Sequence, residues 1–84
     1  MSKIELYTAP WCGACIQLKN TFKQVECKNV PVELVDVEEF PERALQYDIM
    51  SLPTLIFLKD GVPITKLVGT HPVNVIQTQV NLLV

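Results

Sequence analysis

A chain of 84 residues has room for one domain (1–84) with one core and for no second unit. Hydrophobic residues at 49% against 19% charged exclude a disordered chain, and a net charge of −2 with scattered basic residues gives a polyanion nothing to bind, so nucleic acid is not an expected partner. Met1-Ser2-Lys3 runs into a short apolar segment that Glu5 interrupts, so neither a signal peptide nor a membrane span can be drawn there, and the expectation is a cytoplasmic protein off the membrane.

The first element is a short strand around Ile4 and Leu6, ended by the turn residues Thr8-Ala9-Pro10. From Cys12 to about Val25 an amphipathic helix is predicted, because Leu18, Phe22 and Val25 fall at i, i+4 and i+7 with Gln17, Lys19, Asn20, Lys23 and Gln24 opposite. Pro31 precedes "VELVDV", a second strand. Strand, helix and strand in this order form a parallel pair through a right-handed crossover. Pro41 opens a second helix, with Glu38, Glu39 and Glu42 near its positive end and Ala44, Leu45 and Tyr47 in its body. Met50-Ser51-Leu52-Pro53 is the loop that follows. "TLIFLK" and "VPITKLV" are antiparallel strands joined at Asp60-Gly61, a strong hairpin signal. After Gly69, Thr70 or His71 is placed to cap a last helix whose Val73, Ile76, Val80 and Leu83 share a face. The expected class is α/β, in the order βαβαββα.

The stretch "PWCGAC" sets two thiols three positions apart at the start of the first helix. Residues i and i+3 there lie one turn apart on the same side, close enough for a disulfide. Cys12, at or beside the N-cap, meets unpaired N–H groups and the positive end of the helix dipole, so its thiol should ionise more readily than a free cysteine; it is the candidate nucleophile. Cys15, one turn deeper, is the candidate resolving thiol. Gly13 and Ala14 leave the turn uncrowded. Trp11 reads as an apolar wall beside the attacking sulfur, or else as a core aromatic.

A metal reading finds too few ligands. One Cys-x-x-Cys, an isolated Cys27 and a single His71 do not make the two knuckles of a zinc site, and Ile16 after Cys15 excludes a c-type haem motif. Cys27, near the end of the first helix, reads as a small hydrophobe or unreactive thiol, and His71 as a capping or solvated residue.

The chain resembles the thioredoxin superfamily. "APWCGAC" is similar to the thioredoxin segment "APWCGPC" with Ala14 in place of its proline. "YDIMSLPTLIFLKDG" is similar to the segment that carries a cis-proline before a strand and hairpin, and "KLVG" to the strand end that follows. The resemblance implies a minimal thioredoxin fold, a four-stranded mixed sheet flanked by three helices. It also implies a thiol–disulfide oxidoreductase that reduces protein disulfides through a Cys12/Cys15 dithiol–disulfide cycle with no other cofactor. Pro53 would be the cis-proline, presenting Leu52 backbone groups beside Cys12 for an extended substrate to pair with. Trp11 and Gly69 would complete the rim. The implied partners are protein disulfides and, as reductant of a monomer, a thioredoxin-reductase-type flavoprotein or glutathione.

Departures from the family pattern define alternatives. The extra N-terminal strand and helix of larger thioredoxins have no counterpart here, which brings the layout closer to glutaredoxins and to small archaeal or phage thioredoxin-like proteins. Leu6 and Leu34 stand where many thioredoxins keep a buried Asp and its Lys partner. Losing both avoids an unpaired buried charge and removes the usual proton acceptor for Cys15. A glutaredoxin-like, glutathione-dependent reductant is one alternative, although Cys-Gly-Ala-Cys and Val68-Gly69-Thr70 differ from the usual glutaredoxin motifs. A redox-inactive interaction module that binds through the Trp11/Pro53 rim is another.

Overall fold

A computed structural model describes residues 1–84. Seven elements follow in chain order: β1 (Ser2–Thr8), α1 (Gly13–Phe22), β2 (Val32–Asp36), α2 (Pro41–Gln46), β3 (Thr54–Lys59), β4 (Val62–Val68) and α3 (Val73–Leu82). The sheet runs β2-β1-β3-β4, with β1 parallel to β2 and the other pairs antiparallel. This is the four-stranded mixed sheet with three helices expected from the sequence.

Alternation along β1 and β3 sends side chains to two different layers. Ile4, Leu6, Leu55 and Phe57 face α1 and α3 and pack with Leu18, Ile76, Val80 and Leu83. Tyr7, Val35, Ile56 and Leu58 face the other way, toward Val37, Tyr47, Ile49 and Leu52. The two central strands are therefore buried on both sides, which explains why "LIFL" is a continuous apolar run. At the hairpin Asp60 and Gly61 both take positive φ, 53° and 80°, as a two-residue turn matched to the twist of the strands requires.

Several boundaries differ from the sequence expectation: α2 ends at Gln46 with Tyr47 as its C-cap, and α3 ends at Leu82 with Leu83 as its C-cap. α1 ends at Phe22 rather than near Val25: the chain leaves it in tight turns, with Gln24 and Val25 donating to the carbonyls of Thr21 and Phe22, and Val25 still reaches the core. β2 stops at Asp36, one residue short of the end of "VELVDV", because Asp36 Oδ1 turns the chain by accepting the Glu38 amide at 2.9 Å. Neither Thr70 nor His71 caps α3. Pro72 is the N-cap, its carbonyl accepting from Val75 and Ile76, while the His71 ring turns back to the Val68 carbonyl at 3.0 Å.

Candidate functional site

The segment after β1 folds back on itself when the Cys12 amide donates to the Ala9 carbonyl at 3.1 Å. Cys12 is then the N-cap of α1, with φ −89° and ψ 101°, and its Sγ accepts the Cys15 amide at 3.1 Å. A sulfur here occupies the place of the usual capping oxygen and lies against the open N–H groups of the first turn. No acidic side chain in that turn opposes the field. Cys12 and Cys15 are joined as a disulfide with Cα atoms 5.3 Å apart, so the three-residue spacing closes as expected. Cys12 retains 7% of its surface and Cys15 none, which leaves Cys12 as the sulfur a partner can reach.

Around the pair, Ala9, Val37 and Leu52 form an apolar collar. The Leu52–Pro53 bond is cis and Pro53 is fully buried. The loop that carries it is tied at both ends: Thr54 Oγ1 donates to the Ser51 carbonyl at 2.7 Å, and the Gly69 amide to the Pro53 carbonyl at 2.8 Å. Gly69 holds φ 85°, a conformation other residues adopt only with strain. Trp11 is 68% exposed, so it is not a core aromatic, and its Nε1 donates to Glu38 Oε2. Gly13 faces open space and Ala14 is exposed.

The family model named Thioredoxin matches residues 4–81. The chain belongs to the thioredoxin family. It is 36% identical to the thioredoxin of Staphylococcus aureus in a match covering 79% of this chain and 66% of that protein, so it spans just under two thirds of the length of these curated relatives. Among solved structures it is similar to a mutant thioredoxin from Halobacterium salinarum NRC-1, with TM-score 0.85, 23% identity, and coverage of 98% of this chain and 74% of that one. It is likewise similar to the thioredoxin of Malassezia sympodialis, with TM-score 0.83, 26% identity, and coverage of 96% and 73%.

Within this thioredoxin-family chain, Leu6 and Leu34 are register partners on β1 and β2. Leu6 is buried and Leu34 is 56% exposed, both bordering an apolar recess shared with Lys19, Phe22 and Lys23. The buried carboxylate of β1 is one residue earlier, at Glu5, and points to the opposite face. There Glu5 and Glu33 are neighbours across the strand pair, an arrangement that needs cations. Arg43 of α2 supplies one, bonding Glu5 at 2.7 Å and Glu33 at 2.6 and 3.0 Å; Lys3 supplies the other, 2.6 Å from Glu33 and 3.2 Å from Glu5. Tyr7 Oη donates to Glu5 Oε1 at 2.8 Å. The Arg43 and Lys3 hydrogen bonds hold the Glu33 carboxyl down, at about 2. Burial together with the Glu5 bond pushes the Tyr7 phenol well above its ordinary value.

The network was not read from the sequence, although Lys3, Glu5 and Tyr7 at alternate positions were a signal that one face of β1 is polar. Glu38 as the partner of Trp11 was also missed, as was a groove of about 440 Å3 between Trp11 and α2. Cys27 lies beyond α1, half-buried against the core, and burial pushes its thiol up.

Proposed function

We propose that the chain is a thiol–disulfide oxidoreductase that reduces protein disulfides, with Cys12 as nucleophile and Cys15 as resolving thiol. The observation that carries this reading is the Cys12–Cys15 disulfide at the N-terminus of α1, with only Cys12 accessible and the Leu52–Pro53 loop against it. In the dithiol form the Cys12 thiolate, stabilised by the helix N-terminus, attacks one sulfur of a target disulfide. The Cys12–substrate S–S bond forms, the target S–S bond breaks, and the second target sulfur leaves as a thiolate that takes up a proton. Cys15, as thiolate, then attacks Cys12 Sγ, forming the intramolecular disulfide and releasing the first target sulfur as thiolate. Two electrons have passed to the target. Because β1 offers Leu6 rather than a carboxylate on the α1 side, the Cys15 proton goes to solvent or to the departing thiolate. The site needs no cofactor beyond these two sulfurs.

In this scheme Trp11, Leu52, Pro53 and Gly69 form the substrate rim, and Gly13 and Ala14 keep the active-site turn open. Leu52 adjoins the sulfurs, and an extended target segment would pair with its backbone as an added strand. A thioredoxin-reductase-type flavoprotein or glutathione would return the dithiol, and the setting is a cytoplasmic monomer. The test is insulin-disulfide reduction with dithiothreitol as electron source. Wild-type protein should accelerate it, Cys12→Ser and Cys15→Ser should each return it to the uncatalysed rate, and Cys15→Ser should accumulate a target-linked mixed disulfide. Full activity in either variant removes the proposed cycle.

A further inference from the structure

At the opposite edge of the sheet from β4, β2 has a neighbouring strand on one side only. The Pro31 carbonyl accepts the Ile4 amide and the Val37 amide donates to Thr8, so the odd-numbered positions of this segment turn their backbone to β1. Alternation then turns the N–H and C=O groups of Val32 and Leu34 to the open edge and sends the side chains of the same two residues to the α1 face of the sheet, beside Leu6. With Phe22 these side chains form the apolar part of a recess of about 360 Å3, whose remaining wall is Lys19 and Lys23, one turn apart at the end of α1. Leu34 is 56% exposed and Val32 38%, an uncovered apolar pair on an unpaired strand. The charge here has one sign: no acidic side chain lines the recess, and neither lysine is in an ion pair. Ala9, Val37 and Leu52, the collar of the disulfide, have no part in it.

We infer that this edge binds an extended acidic segment of another protein, which adds to β2 as a fifth strand, sets an aliphatic side chain over Val32 and Leu34, and carries Asp or Glu two positions to either side of it against Lys19 and Lys23. The strand period gives that pattern its reason: residues i−2, i and i+2 face one side, and two acidic groups about 13 Å apart are within reach of long lysine side chains that start a helical turn apart. Backbone pairing along the edge supplies affinity, while the recess and the two cations supply selectivity. A second copy of this chain fits less well. Two β2 edges related by a two-fold axis perpendicular to the sheet would bring both Lys19–Lys23 pairs to one face of the joined sheet, where like charges oppose each other. The surface is separate from the Cys12/Cys15 chemistry and the inference does not rest on it.

The experiment titrates the full chain, isotope-labelled, with three cysteine-free peptides, Glu-Thr-Leu-Thr-Glu, Lys-Thr-Leu-Thr-Lys and Glu-Thr-Gly-Thr-Glu, and follows backbone amide NMR shifts. The first peptide should move the amides of Val32, Leu34 and the end of α1 and slow hydrogen exchange at Leu34, as pairing along the edge requires. At low ionic strength it should bind about fivefold more tightly than the lysine peptide, and the difference should vanish near 1 M salt, where the screening length is about 3 Å. The glycine peptide should bind more weakly than the leucine peptide. Lys19→Gln combined with Lys23→Gln should remove the preference for acid while insulin reduction is unchanged. Equal affinity for the acidic and basic peptides, shifts confined to the Trp11 side of the molecule, or no binding of the acidic peptide at about 1 mM overturns the inference and leaves the proposed function standing. Protection of the Leu34 amide without peptide, with a concentration-dependent dimer in sedimentation, also overturns it by making a second copy the occupant.

Discussion

Arg43 of α2 places its guanidinium 2.7 Å from the carboxylate of Glu5, which is buried in the central strand of the sheet. The contact fastens the helix that walls the groove to the strand that leads into the cysteine turn. Removing one partner of such a pair strands a buried charge, which is more damaging than replacing both. Arg43→Ala should lower stability by about 2 kcal/mol, less than for a wholly enclosed pair because Arg43 is partly exposed and Lys3 remains near Glu5. Glu5→Leu combined with Arg43→Met should recover much of the loss. Denaturant melts of the two single variants and the double variant check this, and simple additivity of the single losses would contradict it.

The same network sets a pH dependence. The folded-state Glu33 carboxyl titrates at about 2, below its ordinary value, chiefly because of its hydrogen bonds to Arg43 and Lys3. A depressed carboxylate contributes stability that is present above its unfolded pKa and is lost as pH falls through the folded one. Melting temperature should therefore fall from about pH 4.5 toward pH 2, and Glu33→Gln should flatten that slope. Tyr7 acts in the opposite range. Its raised phenol favours the folded state below its unfolded pKa, and that contribution is lost as pH rises above about 10.

Thr8 ends β1 with its hydroxyl buried and without a hydrogen-bond partner. Replacing an unsatisfied hydroxyl by a methyl of the same shape removes a desolvation penalty. Thr8→Val should stabilise the fold by about 1 kcal/mol, read as a rise of roughly 4–8 °C in melting temperature. A drop in stability would show that the hydroxyl is satisfied in solution.

Gly69 joins the Pro53 loop to the end of β4 at φ 85°, with open space where a Cβ would lie. The penalty of Gly69→Ala is then conformational rather than steric, about 1 kcal/mol. Because Gly69 is placed on the proposed rim, insulin reduction should slow further than this loss of stability explains. Unchanged activity would remove Gly69 from the substrate surface.

Thiol reactivity separates the three cysteines. In reduced protein near neutral pH, iodoacetamide should alkylate Cys12 at least about tenfold faster than Cys27, since a helix N-terminus favours the thiolate of the first and burial disfavours that of the second. Cys15, with no exposed surface, should lag behind Cys12. Peptide mapping of the alkylated protein gives the order, and equal labelling of Cys12 and Cys27 would mean that the helix end does not activate Cys12.

Local signals carried the reading furthest. The β3–β4 hairpin matches its expected strands residue for residue, because Asp60-Gly61 and the flanking alternation act within a few positions. The Cys12–Cys15 pairing was legible for the same reason, as was the apolar set of Val73, Ile76 and Val80 on α3 with Leu83 at its C-cap. Ends decided by longer-range partners were not. Val25 keeps the helical period yet lies past α1, since burial against the core and not the helix ladder holds it, and α3 takes Pro72 as its cap while His71 bonds the end of β4.

The chain's own spacing and periodicity determined the βαβαββα order and the N-capping sulfur with its partner one turn on, while the place of the Pro53 loop beside them was implied only by the resemblance to the family. Tertiary structure alone decided that Glu5 lies beside Glu33, that Arg43 reaches Glu5 across 38 positions and Glu33 across 10, and that Trp11 swings out to Glu38 over an apolar groove. The division has one physical cause. Helix ends and tight turns are set by forces acting over a few residues, whereas strand register and helix docking fix which distant charges meet, and only the packed chain contains that information.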